Sequence, residues 1–238
     1  METVDTFGTR CAWGSRTRGP ARRARSARCG CIASPARWSL KRALARQFRS
    51  PAGWAGRFAG IAMALKNRAR LRWTLELLNA RRGERLLEIG PGPGVAIRWL
   101  IDSVPGVLVD AAEPSAVMRD QASRRNRAAI SEGRVRVFDA TSAALPCADG
   151  TYDAVLTSNV AMFWDSPHRD LAEIARVVKT GGRLVVTVQM RGARSLEEIG
   201  RWTARFIGAA ERAGWHEVAR DWRPMHPVGC VGIVLGRA

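Results

Sequence analysis

LLEIGPGPG, residues 86–94, is the stretch that decides the fold. A short apolar run carrying one acid, Glu88, leads into Gly90, Gly92 and Gly94 at alternate positions, and Val95–Ser103 follows with helical spacing. Glycine lets a backbone turn sharply and approach a ligand with no Cβ in the way. Strand, glycine loop and helix in this order form the first unit of an open parallel sheet, where ligands lie beyond the strand ends at the switch point. Two common ligand classes fail on spacing. The dinucleotide fingerprint needs Gly or Ala where Val95 stands, and the phosphate-cradling loop needs a Gly-Lys-Ser/Thr that is absent. Glu88 beside the loop disfavours phosphate and suits a cationic or zwitterionic ligand.

Outward from this loop, strands and helices alternate. Strands are expected at Arg85–Ile89, Val107–Ala111, Arg134–Phe138, Tyr152–Thr157 and Arg183–Gln189, with a last apolar stretch at Val228–Leu235. Helices are expected at Ser115–Ile130 with a serine N-cap, Pro167–Val178 ended by Gly181-Gly182, and Ser195–Ala213. Upstream, residues 54–80 read as two helices closed near Gly83. The pattern predicts an α/β, doubly wound parallel sheet with helices on both faces and an N-terminal helical cap. The expected organisation is a basic extension at 1–50, a helical cap at 51–82 and a ligand-binding domain at 83–238.

Acids recur where successive strands end. Glu113 lies about 20 residues beyond the glycine loop, the distance at which a strand-end acid accepts hydrogen bonds from both ribose hydroxyls. Asp110 is its rival, but the next helix starts at Ser115, so Glu113 stands nearer the strand end. Asp139 ends the third strand, placed to meet an adenine amino group, with Ala140 offering its backbone N–H to the ring.

These residues bring the chain to a known family. LLEIGPGPG (86–94), AAEPSAVM (111–118), RVFDATSAALPCADGTYDAV (136–155) and LAEIARVVKTGGRLVV (171–186) resemble the class I S-adenosylmethionine-dependent methyltransferases over roughly residues 51–238. Asp139, Leu145, Pro146, Asp149, Gly150, Tyr152 and Asp153 carry a pattern of the small-molecule branch, and SNVAMFWDSP (158–167) is similar to its Asn-x-x-x-Phe-Trp-x-x-Pro stretch. The resemblance implies a Rossmann-like seven-stranded sheet with a reversed final hairpin, and S-adenosyl-L-methionine as cofactor. It places Glu88, Gly90, Pro91, Gly92 and Gly94 at the methionine part, Glu113 at the ribose, and Pro114 and Met118 beside the adenine. Asp139 and Ala140 fall at the adenine edge and Asn159 near the methyl group. Thr180 stands where the family usually has proline, and Ala111-Ala112 precede Glu113 where Val-Asp is commoner, which keeps Asp110 in view.

The charge points elsewhere at first sight. The chain has 238 residues and a formal net charge of +18, a balance that invites a nucleic-acid reading. Residues 1–50, however, hold 12 Lys+Arg against two acids, so more than half the excess sits there, and only Lys41, Lys66 and Lys179 among the 39 basic residues are lysine. That arginine bias fits coding in a GC-rich genome. Residues 1–50 read as a disordered extension, a transit peptide or a nucleic-acid arm. No uncharged apolar run approaches the ~20 residues of a membrane span. Five scattered cysteines make a poor disulfide framework, and neither Cys29-Gly30-Cys31 nor the three histidines have ligand spacing for a metal. A reducing, cytoplasmic setting is expected, or an organelle if 1–50 is a transit peptide.

The expected reaction is methyl transfer to a small-molecule acceptor, driven by alignment of donor and acceptor. No catalytic base is assigned, and His168, the nearest in sequence, reads as a surface residue. Trp54 and Trp73 are expected to help line a cap over the site. The alternatives are an RNA or protein methyltransferase using the basic arm, and a scaffold that binds the donor without catalysis. Acceptor identity and oligomeric state are not encoded in any motif.

Overall fold

The computed structural model describes residues 67–193 and 195–238. The arm at 1–50, the expected first helix of the cap, Trp54 and the Cys29-Gly30-Cys31 pair lie outside them. The described elements run α1 (Arg68–Leu78), β1 (Arg85–Ile89), α2 (Val95–Ser103), β2 (Leu108–Ala112), α3 (Ala116–Arg125), α4 (Arg127–Ser131), β3 (Val135–Phe138), β4 (Tyr152–Ser158), a 3-10 turn (Ala161–Phe163), α5 (Pro167–Val177), β5 (Val178–Val188), α6 (Leu196–Arg212), β6 (Trp215–Arg223) and β7 (Cys230–Arg237).

Seven strands form one sheet in the order β3-β2-β1-β4-β5-β7-β6. The first five are parallel, and β7 enters antiparallel between β5 and β6. The order reverses between β1 and β4, which puts the switch point at the glycine loop. Period-2 alternation sorts the side chains: Leu87, Val155 and Val186 pack under α5 and α6, while Leu86, Ala154 and Val185 pack under α1, α2 and α4. Both faces are therefore covered, and the central strands read as continuous apolar runs.

Local chemistry sets the element ends. Ser115 caps α3, its hydroxyl accepting from the Met118 N–H at 3.4 Å, and Ser195 caps α6 at 3.2 Å from the Glu198 N–H. The helix expected over 115–130 is interrupted at Asn126. Its Nδ2 donates to the carbonyls of Ala122 (2.8 Å) and Gly94 (3.1 Å), tying α3 to the start of α2. Gly181-Gly182 does not end α5. The chain is already extended at Val178, and β5 runs through both glycines with a bulge against β4. Gly181 sits at φ +77°, and a Cβ on Gly182 would lie 2.9 Å from the Asp153 carbonyl oxygen.

Trp73 is also placed differently from expectation. It is 1% exposed, packs α1 onto β7 where Gly232 leaves room, and lies under the Arg223 guanidinium at 5.0 Å. It is a core residue and does not line the site. Asp110 is buried in the sheet, where its carboxylate accepts from Arg85 (2.9 Å), Arg136 (2.6 and 2.8 Å) and the Tyr152 hydroxyl (2.8 Å). Burial works against its charge. The hydrogen bonds from Arg136, Arg85 and Tyr152 outweigh that and hold its carboxyl below the ordinary range. Among the described residues no helix is long and apolar enough to cross a membrane.

Candidate active site

A cavity of about 900 Å³ opens across the carboxyl ends of β3, β2, β1, β4 and β5. Glu88, Gly90, Pro91, Gly92, Glu113, Pro114, Met118, Ala140 and Asn159 all line it. Residues far apart in sequence meet there because parallel strands deliver their carboxyl ends to one edge.

The glycine loop forms the cavity's floor. Gly90 stands at φ +68°, and a Cβ there would lie 2.5 Å from Val160 Cγ2. Gly92 stands at φ +53° with nothing within 4 Å of a Cβ position, so its backbone borders open space. Gly94 does not line the cavity. A Cβ on it would lie 2.9 Å from the Ala122 Cα, so its glycine serves the close approach of α2 and α3.

Two carboxylates face the cavity from β1 and the end of β2. Glu113 Oε1 accepts from the Ser115 N–H at 2.9 Å and Oε2 from the Gly92 N–H at 3.1 Å. These two bonds fix the carboxylate and leave about half of its roughly four acceptor positions open. Burial raises its pKa, and the Ser115 and Gly92 amides work against that rise. Glu88 is 2% exposed, and its Oε2 has no hydrogen-bond partner. Burial first, then the Glu113 charge, push its carboxyl up to about 8, with the Ile97 amide opposing. An orphaned buried acid beside a second acid is an environment that a cation relieves.

Asp139 takes another course. Its side chain is 68% exposed, pairs with Arg119 at 2.9 Å and does not line the cavity. Asp110 is also absent from the lining, being held by its arginines. His168 is exposed and stands outside the cavity. Asn159 adopts φ +62°, a conformation asparagine tolerates better than most residues, and its Oδ1 accepts from the Gln189 N–H at 2.6 Å. This bond ties the end of β4 to the residue after β5. Arg70, Gln189 and Arg191 also line the cavity, and sequence reasoning missed them. Their only early signal was Gln189 at the expected end of a strand.

Glu88 makes stability pH-dependent. Its folded-state value of about 8 lies above the ordinary 4.5, so between these pH values the folded chain holds a proton the unfolded chain has released. Stability of the ligand-free protein is expected to fall as pH rises through that window. The thermal midpoint of Glu88→Gln should be flatter across it than wild type; parallel curves would contradict the assignment.

The family model for the methyltransferase domain matches residues 87–186. An uncharacterized methyltransferase, YdaC of Bacillus subtilis, is 26% identical over 170 residues, covering 71% of this chain and 92% of that protein. A demethylmenaquinone methyltransferase of Beutenbergia cavernae is 39% identical over 116 residues, covering 48% of this chain and 45% of that protein. Among solved structures, a SAM-dependent methyltransferase from Aquifex aeolicus matches with TM-score 0.57 and 19% identity, over 74% of this chain and 92% of that one. Geranyl diphosphate C-methyltransferase from Streptomyces coelicolor, solved with S-adenosyl-L-homocysteine, matches with TM-score 0.60 and 17% identity, over 72% and 77%. These matches support reading the chain as a class I S-adenosylmethionine-dependent methyltransferase, with S-adenosyl-L-methionine as its cofactor.

Proposed function

We propose that the cavity holds the donor along β3, β2 and β1 and transfers its methyl group to a small molecule bound toward β4 and β5. The observation that carries this is the pair Glu88 and Glu113. One is a buried carboxylate with an orphan oxygen, suited to an ammonium. The other is a fixed carboxylate with open acceptor positions, suited to vicinal hydroxyls. Both stand on one side of a glycine floor that leaves room for a ligand backbone.

In this reading Glu113 accepts from the ribose hydroxyls, and the Gly92 and Ser115 amides keep its rotamer in place. Glu88 faces the methionine end, with Gly90, Pro91 and Gly92 shaping the floor beneath it. Pro114 and Met118 flank the adenine, and Ala140 meets its edge. Asp139 contributes to that end through Arg119, which donates to the Glu113 carbonyl at 2.8 Å. When bound, S-adenosyl-L-methionine supplies a methyl group on a positively charged sulfur. The chain's own part is to align an acceptor with that methyl and keep water away, with Asn159 and Val160 at the junction. The start of α1 borders the acceptor side through Asn67, Arg70 and Leu71.

The small-molecule branch pattern and the printed activities of the relatives favour a small acceptor over RNA or protein. Methyl-labelled donor, incubated with the full chain and cell extract, should place label in the low-molecular-mass fraction. Label confined to RNA or protein, and lost on deleting residues 1–45, would contradict this reading.

A further inference from the structure

The end of the cavity away from Glu88 and Glu113 carries the opposite charge. Arg70 on α1 is 3% exposed and lines the cavity. Its Nε donates to Ser158 Oγ at 2.9 Å and its Nη1 to Gln189 Oε1 at 3.2 Å, both neutral acceptors. Among the described residues no carboxylate pairs with it. A guanidinium taken out of water without an anion is costly, and its five donors exceed the two acceptors present. Burial lowers its pKa to about 10, Cys230 opposes that and the charge of Arg191 adds to it. The Cys230 thiol is itself pushed up to about 12 by burial, so it stays neutral at ordinary pH.

A second arginine shares the same acceptor. Gln189 spends its Nε2 on the carbonyls of His226 (3.1 Å) and Val228 (2.7 Å). That fixes the amide and turns its Oε1 toward the cavity side, where Arg191 Nε (3.4 Å) and Nη2 (3.3 Å) join Arg70 on it. Two guanidinium groups thus converge on one neutral oxygen with two lone pairs. Of the acids in the lining beyond the donor side, Asp170 accepts from the Ser142 hydroxyl. Trp164, also in the lining, keeps a buried indole N–H without a partner. The surplus at this end is one of donors and positive charge.

We propose that Arg70 and Arg191 form an oxyanion subsite for the methyl acceptor, a small molecule bearing a carboxylate or phosphate group. The forked guanidinium matches both groups in geometry and charge. The inference rests on the reading of the cavity as a donor and acceptor site. The donor has a carboxylate of its own, so the same chemistry has a second source. Position favours the acceptor: Gln189 and Arg191 follow β5, two strand spacings or ~10 Å from β1, where the donor's methionine end meets Glu88.

Calorimetry of the full chain at constant ionic strength separates the cases, with inorganic phosphate and acetate as probes, each titrated into free and S-adenosylhomocysteine-loaded protein. Saturable one-to-one binding of either probe is expected in both forms, the tighter probe identifying the acceptor's group. Arg191→Ala, at an exposed residue, should weaken it about tenfold, the worth of a lost charge-assisted contact. Arg70→Gln should do the same where it folds, Arg124→Ala on α3 should not, and Arg191→Ala should leave S-adenosylhomocysteine affinity unchanged. No saturable binding, or binding indifferent to Arg191→Ala or equally sensitive to Arg124→Ala, overturns the subsite. Loss of probe binding on loading overturns it too, assigning the arginines to the donor's tail. Failure of S-adenosylhomocysteine itself to bind would fault the donor reading alone, because the free-protein titration still reads the arginines.

Discussion

Glu113→Ala is expected to weaken S-adenosylmethionine binding at least tenfold while leaving the fold intact. The substitution removes a carboxylate whose two oxygens are held by the Ser115 and Gly92 amides and whose open positions face the cavity. Charge-assisted hydrogen bonds of this kind contribute roughly 1.5–3 kcal/mol, which corresponds to tenfold or more in affinity. Glu113→Gln keeps the shape, removes the charge and replaces one acceptor oxygen with a donor, so it should fall between wild type and Glu113→Ala. Calorimetry of the three proteins checks the order. Near-wild-type affinity for Glu113→Ala would move the ribose contact to another residue.

Asp110→Ala should behave in the opposite way, costing stability and sparing affinity. Its carboxylate gathers Arg85, Arg136 and the Tyr152 hydroxyl beneath the sheet, away from the cavity. Removing it leaves the buried Tyr152 hydroxyl only Cys147 Sγ at 3.1 Å and unpairs two guanidinium groups, of which Arg136 at 59% and Arg85 at 33% exposure regain some hydration. The expected loss is about 3 kcal/mol, the lower end for breaking a buried ion pair. Because its pKa is held down in the folded state, this stabilisation is present above the ordinary carboxylate range and fades as pH falls through the lowered value. Urea unfolding at neutral and acidic pH reads both effects. A Kd for S-adenosylmethionine raised as much as by Glu113→Ala would contradict the separation of roles.

This pair of residues also shows where the sequence is legible. Arg85–Ile89 and Val95–Ser103 have the expected bounds because a glycine loop separates an apolar strand from a helix. β6 escaped the sequence reading. After Trp215 every one of its residues is exposed, so no alternation marks it, and pairing with β7 alone defines it. Gly181-Gly182 read as a helix stop because glycine marks both helix ends and bulges, and only the partner strand decides between them. Asp110 and Glu113 were separable in outline, since the cap at Ser115 fixes where β2 must end. The Arg70–Gln189–Arg191 convergence was not, because it joins residues 119 apart in sequence and one arginine looks like any other in an arginine-rich chain.

The charge divides along the same line. The excess of +18 is a property of the whole chain, yet the site is organised by where single charges lie. Acids stand at the ends of β1 and β2 and arginines around β5, a polarity that net charge cannot display.

Titrating S-adenosylmethionine into the purified full chain by calorimetry shows whether the cavity is a donor site. Saturable binding of one donor per chain is expected, weakened at least tenfold by Glu113→Ala and not by Asp110→Ala. A folded protein that takes up no S-adenosylmethionine would contradict it.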